Sequence, residues 1–177
     1  MALLIFTIVF TTFLLGILLD RALTAAMGVK PALHLPLLER AFGSLLIFLG
    51  CFVLGDTFRY RNPRDVLAST SVTLVKLLTR QPLTERGGRT EPFVPKGPYR
   101  WVRNPMYFAV VMFPFGLGVL LSSTTLLLWG IVLVCWFMVL IPREEKELEA
   151  LFGDSYKEYR RQVPMLFPTG RRFKGGA

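Results

Sequence analysis

Two polar clusters in this chain carry side chains suited to chemistry. The first is Gly97-Pro98-Tyr99-Arg100-Trp101-Val102-Arg103-Asn104-Pro105-Met106-Tyr107, and the second is Pro142-Arg143-Glu144-Glu145. Between them lie two apolar runs, from Pro105 to about Leu121 and from about Thr125 to Ile141, joined only by Ser122-Ser123-Thr124. A connection that short forces an antiparallel helical hairpin, which returns both clusters to the same end. The guanidiniums of Arg100 and Arg103 then stand opposite the carboxylates of Glu144 and Glu145. Walls of opposite charge suit a zwitterionic amino-acid group. Tyr99, Trp101 and Tyr107 add ring faces for a flat base or a positive sulfonium. S-adenosylmethionine has all three parts, and it is one of several ligands that meet this description.

Plainer roles exist for most of these residues. Arg100 and Arg103 are placed to anchor a membrane boundary, Trp101 and Tyr107 to be interfacial aromatics, and Asn104 to cap the helix that starts at Pro105. Glu144 and Glu145 fit an anchoring role less well, because carboxylates do not hold anionic lipid. They can pair with Arg143 and Lys146, stabilise the start of a helix through its dipole, or bind a cation.

The elements that must position these clusters are membrane helices. Of 177 residues, 53% are hydrophobic and 19% charged, and the mean hydropathy is positive. These values fit an all-α, polytopic integral membrane protein better than a soluble one. Residues 2–19 are apolar apart from three threonines and span most of a hydrocarbon core at ~1.5 Å per residue. No basic residue precedes them, so a retained first span is expected rather than a signal peptide. Residues 20–40, with Pro31 and Pro36, connect to a second span over 41–55, extended back toward Pro36. Within it, Gly43, Ser44, Gly50 and Gly55 allow close helix approach. With the hairpin, this makes about four transmembrane helices.

Asn62-Pro63 reads as a helix start, and 63–79 as an interfacial helix too short to span. Residues 81–98, rich in proline and glycine, form a long loop with the character of a lid or binding loop. After Pro142, which is expected to stop the fourth span, Arg143–Phe152 forms an amphipathic helix ended by Gly153. A second C-terminal helix follows from the capping-box spacing at Ser155 to about Val163, stopped by Pro164 and Pro168. The organisation expected is a single domain over 1–177. Its parts are two spans in 1–60, an interfacial helix and cofactor loop in 61–104, a hairpin in 105–141, C-terminal cofactor-site helices in 142–168 and a basic tail in 169–177.

Charge tests this topology. The net charge is +9, and of the 21 Lys and Arg only Arg21, Lys30 and Arg40 lie in the 20–40 connection. The rest fall in 56–104 and after residue 142. The positive-inside rule therefore places both termini and the site on the cytoplasmic side. The basic residues flank apolar runs instead of forming a separate domain, so the expected partner is an anionic membrane surface and no nucleic acid. Cys51 and Cys135 lie inside apolar runs and read as small buried hydrophobes. No Cys/His spacing indicates a metal, and the lone His34 sits away from both clusters.

The first cluster, followed by Glu144-Glu145, Leu148, Phe152-Gly153, Tyr156, Tyr159, Val163-Pro164 and Pro168, resembles the signature of the isoprenylcysteine carboxyl methyltransferase superfamily, which is related to phospholipid methyltransferases. The combined pattern covers roughly residues 92–168 and is far more specific than either half. The resemblance implies an integral membrane methyltransferase using S-adenosylmethionine and a lipophilic small-molecule or lipid acceptor. It implies cofactor contacts from Gly97, Pro98, Tyr99, Arg103, Asn104, Pro105 and Tyr107, with Glu144 and Glu145 near the cofactor's amino end. Arg100, Arg103 and Asn104 are the residues expected to orient acceptor or cofactor, and no metal is implied. Gly116-Leu117-Gly118 resembles a Gly-X-Gly element of phospholipid methyltransferases, although helix packing is the stronger reading of so short a triplet.

One departure matters. Many members have histidine where this chain has Asn104, and an amide cannot act as a base near neutral pH. Displacement at a sulfonium needs alignment more than proton transfer, so methyl transfer survives the change. Two other classes remain: a membrane reductase of the related sterol-reductase type using a nicotinamide cofactor, and a non-catalytic membrane module.

Overall fold

The chain is described by a computed structural model covering residues 14–18, 21–22, 25–26, 36–62 and 95–173. Its regular structure there is all helical. Helix α1 spans Leu37–Tyr60, a short 3-10 helix spans Gly97–Arg100, α2 spans Pro105–Leu120 and α3 spans Thr124–Gln162. Residues 14–18, part of the expected first span, are also helical. The expected interfacial helix over 63–79, the loop up to residue 94, His34 and the last four residues of the basic tail fall outside the described residues.

Among the described residues two helices, α1 and α3, are long and apolar enough to cross a membrane. Their most apolar windows are only 11% and 28% buried. Leu45, Phe48 and Phe52 of α1 and Leu128, Ile131 and Trp136 of α3 are exposed. A soluble fold would bury such side chains, whereas lipid solvates them. The same exposure corrects the reading of Cys51 and Cys135, which lie on the exterior of their helices instead of inside a core. An apolar run in lipid does not distinguish its inner from its outer face by composition.

The chain forms two compact units. In one, made from described residues up to 52 and from 109–136, helices meet through glycine. A Cβ on Gly43 would lie 2.5 Å from the Gly116 carbonyl and 2.6 Å from the Leu120 amide nitrogen. Gly50 lies under Ala109 and Met112, Gly116 under Ile47, and Gly118 against Leu127. Gly116 and Gly118 are thus packing residues. Ser44 and Gly55, expected to join this contact, are exposed, and nothing lies within 4 Å of a Cβ on Gly55. Gly43 and Gly50 are seven residues apart and share a face of α1 that Ser44 and Gly55 do not. The α2–α3 turn has Ser122 at φ 55°, and Ser123 Oγ accepts from the Leu126 amide as an N-cap. Arg40 Nε donates to the Leu120 carbonyl, 2.9 Å away, satisfying one orphan acceptor at the end of α2.

The other unit holds the described residues of 53–108 and 137–173. Pro142 does not end the helix as expected: α3 continues through it. Proline removes a single backbone bond, to the carbonyl four residues earlier, and apolar helices absorb that loss. The actual break is Gly153, at φ 56° and ψ −132°, a conformation open chiefly to glycine. Beyond it Tyr156, Tyr159 and Val163 form a buried cluster against Leu148, Phe152 and Phe173. Burying each such side chain contributes roughly 1.5–3 kcal/mol. A strap from Val163 to Phe173 then returns along the 97–104 segment. Arg103 N donates to the Pro164 carbonyl and Phe173 N to the Arg100 carbonyl, each at 2.9 Å.

Candidate functional site

The site is assembled from the start of α2, the portion of α3 after Pro142, and the strap. Gly97 opens the 3-10 turn at φ 55°, and a Cβ there would collide with the Tyr60 ring. Pro98 follows, buried as the second residue of the turn, where a missing N–H costs nothing. Residues 97 and 98, expected to close a loop, begin this turn instead, which fixes the direction of Tyr99 to Asn104. The Tyr99 carbonyl accepts a 2.6 Å bond from the Tyr159 hydroxyl, and its ring lies 5.4 Å from the Arg61 guanidinium. Burial pushes the Tyr159 phenol up, so it remains a donor across the ordinary pH range.

Both acidic residues singled out from the sequence are buried, Glu144 to 5% and Glu145 to 2% exposure. Tyr107 is buried too, and its hydroxyl donates to Glu144 Oε1 at 2.8 Å. The Tyr107 ring stacks at 4.5 Å on Phe137, so this tyrosine is no interfacial anchor. Glu145 Oε1 lies 2.9 Å from Arg103 Nε, and Glu145 Oε2 lies 3.5 Å from Arg160 Nε. The closer contact brings charges together without hydrogen-bond alignment, leaving Arg103 Nε and Glu145 Oε1 without a directed partner. Burial raises the Glu145 carboxyl above its usual range, against the opposing pull of Arg103 and Arg160. The neighbouring Asn104 side chain favours the ionised form as the two arginines do. Its amide nitrogen also donates to the Met165 carbonyl at 3.0 Å, which ties the strap to the start of α2.

The structure therefore unites Arg103, Asn104, Glu144, Glu145 and Tyr107, with Pro105 buried at the head of α2. Arg100 and Trp101 stand apart, contrary to the arrangement of facing walls. Arg100 Nη2 donates to the Phe173 carbonyl at 3.2 Å, and exposed Trp101 lies under Arg172 at 5.5 Å. Arg100 in the 3-10 turn and Trp101 after it engage the strap through Phe173 and Arg172, a distinction that linear spacing does not carry.

Several participants were not anticipated. A cavity of about 360 Å³ is lined by Arg103, Glu149, Lys157, Arg160 and Arg161. Arg160 Nη1 donates to Glu149, and the Arg160 carbonyl accepts from Arg103 Nη1 at 2.7 Å. Glu147 is a third buried acid. Glu149 was legible as the residue one helical turn after Glu145. Arg160 was not, because the Gly153 break decides where it points.

Fold and site together define a helical membrane protein that keeps buried carboxylates and a guanidinium just beyond its apolar helical segments. The chain belongs to the phospholipid methyltransferase family, whose sequence model matches residues 38–155. It is similar to the protein-S-isoprenylcysteine O-methyltransferase of Schizosaccharomyces pombe, 38% identical over 76 residues, or 42% of this chain and 32% of that one. The Mycobacterium tuberculosis methanethiol S-methyltransferase is 35% identical over 74 residues, 42% of this chain and 30% of its own. The Xenopus laevis protein-S-isoprenylcysteine O-methyltransferase is 38% identical over 77 residues, covering 42% and 26% respectively. The matched stretches thus span about a third or less of these relatives. No solved structure matches the chain.

Proposed function

We propose that this protein is an integral membrane methyltransferase that binds S-adenosylmethionine and methylates a lipophilic acceptor. The observation that carries the reading is Glu145, a buried carboxylate with an orphaned oxygen beside Arg103 in a chain of this family. A buried ion pair lacking directed bonds is poorly satisfied, and an ammonium completes it. Bound there, the cofactor supplies a methyl group on a positive sulfonium. The chain's own part is binding and alignment. Glu145 and Glu144 hold the amino end, Arg103 the carboxylate, and Tyr107 fixes Glu144 through its hydroxyl. Gly97, Pro98, Tyr99 and Pro105 shape the remaining wall. Asn104 binds and ties down the strap, with no role as a base. Arg100 leaves the set of orienting residues, since it is engaged by Phe173.

The acceptor is read as lipophilic because the site adjoins helices whose apolar faces are exposed. Isoprenylcysteine-type carboxylates and phospholipid amines fit that description. A thiol joins them through the methanethiol-methylating relative. A carboxylate or thiolate acceptor reacts without a base, and an amine reacts when neutral, so a site with asparagine at position 104 serves each.

Four spans, with both termini and the site cytoplasmic and residues 1–177 acting as one domain, complete the reading. An N-terminal reporter is expected on the cytoplasmic side, and a signal from the opposite side would sink that topology. The direct experiment is calorimetric titration of the detergent-solubilised chain with S-adenosylhomocysteine, beside a reduced nicotinamide dinucleotide. Saturable binding of the first alone supports the methyltransferase. Binding of the second alone moves the protein to the reductase class, and binding of neither by folded protein favours a non-catalytic module.

A further inference from the structure

Glu145 is shared by two cations of unequal freedom. The Arg103 side chain is 9% exposed, and its Nη1 is committed to the Arg160 carbonyl. The Arg160 side chain is 45% exposed and has two carboxylates within reach, Glu145 and Glu149. Those acids lie four residues apart on one face of α3, one deep and one shallow: the Glu145 side chain is 2% exposed and that of Glu149 26%. Arg160 and Glu149 line the 360 Å³ cavity, whereas Glu145 does not. Arg103 lines that cavity too, so from the open side Glu145 lies behind the deep Arg103 and the more exposed Arg160–Glu149 pair. The cavity's other cations are occupied elsewhere, Lys157 with Asp154 and Arg161 with Glu158.

We infer that Arg160 is a gate over Glu145, displaced by the ammonium group of the incoming cofactor, and that Glu149 is the catch holding it aside. This inference rests on the cofactor reading above. The movement costs little because Arg160 already contacts Glu149 and gives up only its longer, 3.5 Å contact with Glu145. A guanidinium this exposed is weakly held by either partner. Its departure leaves the buried carboxylate one cation short, and the ammonium restores the balance. Arg103 stays in place, anchored from the side that does not move. The gate excludes ligands that cannot replace the lost charge, which makes Arg160 a specificity residue for the amino end.

The test is titration of the detergent-solubilised full chain with S-adenosylhomocysteine and with an analogue whose α-amino group is replaced by hydrogen. Arg160→Gln removes the competitor, so affinity for S-adenosylhomocysteine should rise about threefold, with no gain for the deaminated analogue. Glu149→Gln leaves Arg160 on Glu145 and should lower affinity by a similar factor. The double variant should follow Arg160→Gln, because a catch has no work without a gate. Arg160→Lys keeps the cation and should behave as the parent. These variants retain the Arg160 backbone carbonyl that Arg103 uses, and an unchanged thermal midpoint checks folding. A loss of affinity in Arg160→Gln would make Arg160 a direct ligand and overturn the gate, as would equal shifts for both ligands. No binding of S-adenosylhomocysteine by the parent chain would instead overturn the cofactor reading, and the gate with it.

Discussion

The two compact units are held by different physics. In the unit of residues 109–136 and those before 53, helices approach until backbone meets backbone, and glycine is the means. The contacts at Gly43, Gly50, Gly116 and Gly118 involve no charge. In the unit of 53–108 and 137–173, segments are joined by directed polar bonds: Tyr159 to Tyr99, Asn104 to Met165, Arg100 to Phe173, Tyr107 to Glu144. Lipid supplies no hydrophobic force between helices, so shape and dispersion must suffice there. Outside the apolar segments, buried polar groups require partners, and the partners fix geometry. The difference teaches where function can be altered without unfolding. A polar network can exchange a partner where two are within reach, as Arg103 and Arg160 are of Glu145, whereas a glycine contact leaves no room for a replacement.

The largest expected separation between the two comes from Glu145→Gln. Removing one charge of a buried set costs about 2–5 kcal/mol of binding, or roughly thirtyfold or more in affinity for S-adenosylhomocysteine. The thermal midpoint should hold, because burial already penalises the ionised form. Parent-like affinity in the folded variant would remove Glu145 from the site. Acid offers a second view of the same group. Its raised value means that it takes up a proton while an ordinary glutamate is still ionised. Ligand affinity should therefore fall as pH drops through that raised value. The stability contribution runs the other way: it is fully present below the unfolded-state value and is lost as pH rises through the folded one. Opposite pH trends in ligand affinity and apo-protein midpoint, both flattened in Glu145→Gln, would sharpen the assignment. Parallel trends would break it.

Gly43→Val attacks the other unit. Its side chain would enter backbone at Gly116 and Leu120, and overpacking costs about 1–3 kcal/mol. Thermal unfolding should register that loss, while the fraction that remains folded binds ligand normally. Altered affinity at constant folded fraction would blur the distinction. Gly97→Ala should destabilise the polar unit by about 1–3 kcal/mol through its left-handed backbone and the Tyr60 ring, and affinity should fall with it. The smallest effect belongs to Arg100→Gln, which loses a half-buried bond to the strap and about 1 kcal/mol of stability. Ligand affinity should stay within about twofold, and a larger loss would return Arg100 to the orienting set.

What the sequence determined by itself is local and periodic. Apolar run length marked α1 and the hairpin, Asn104-Pro105 marked the start of α2, and the three-residue turn brought Glu144 and Glu145 to the end where Arg103 and Asn104 lie. Gly153 was legible as a break because only glycine takes its backbone angles readily. Long-range choices were not legible. Glycine spacing on α1 did not say which of Gly43, Ser44, Gly50 and Gly55 face a neighbour, and apolar neighbours did not say that Cys51 and Cys135 face outward. Proline at 142 looked like a stop, yet continuation of α3 depends on packing and on an environment without competing water. Arg100 and Arg103 are three residues apart and chemically equal in the sequence, and only the tertiary structure shows Arg100 bonded to the Phe173 carbonyl and Arg103 beside Glu145. Arg160 entered the site only because the chain turns at Gly153 and packs Tyr156, Tyr159 and Val163 against Leu148 and Phe152. That burial aims a guanidinium at a carboxylate 15 positions earlier, a pairing that the free energy of a folded core selects and no local pattern encodes.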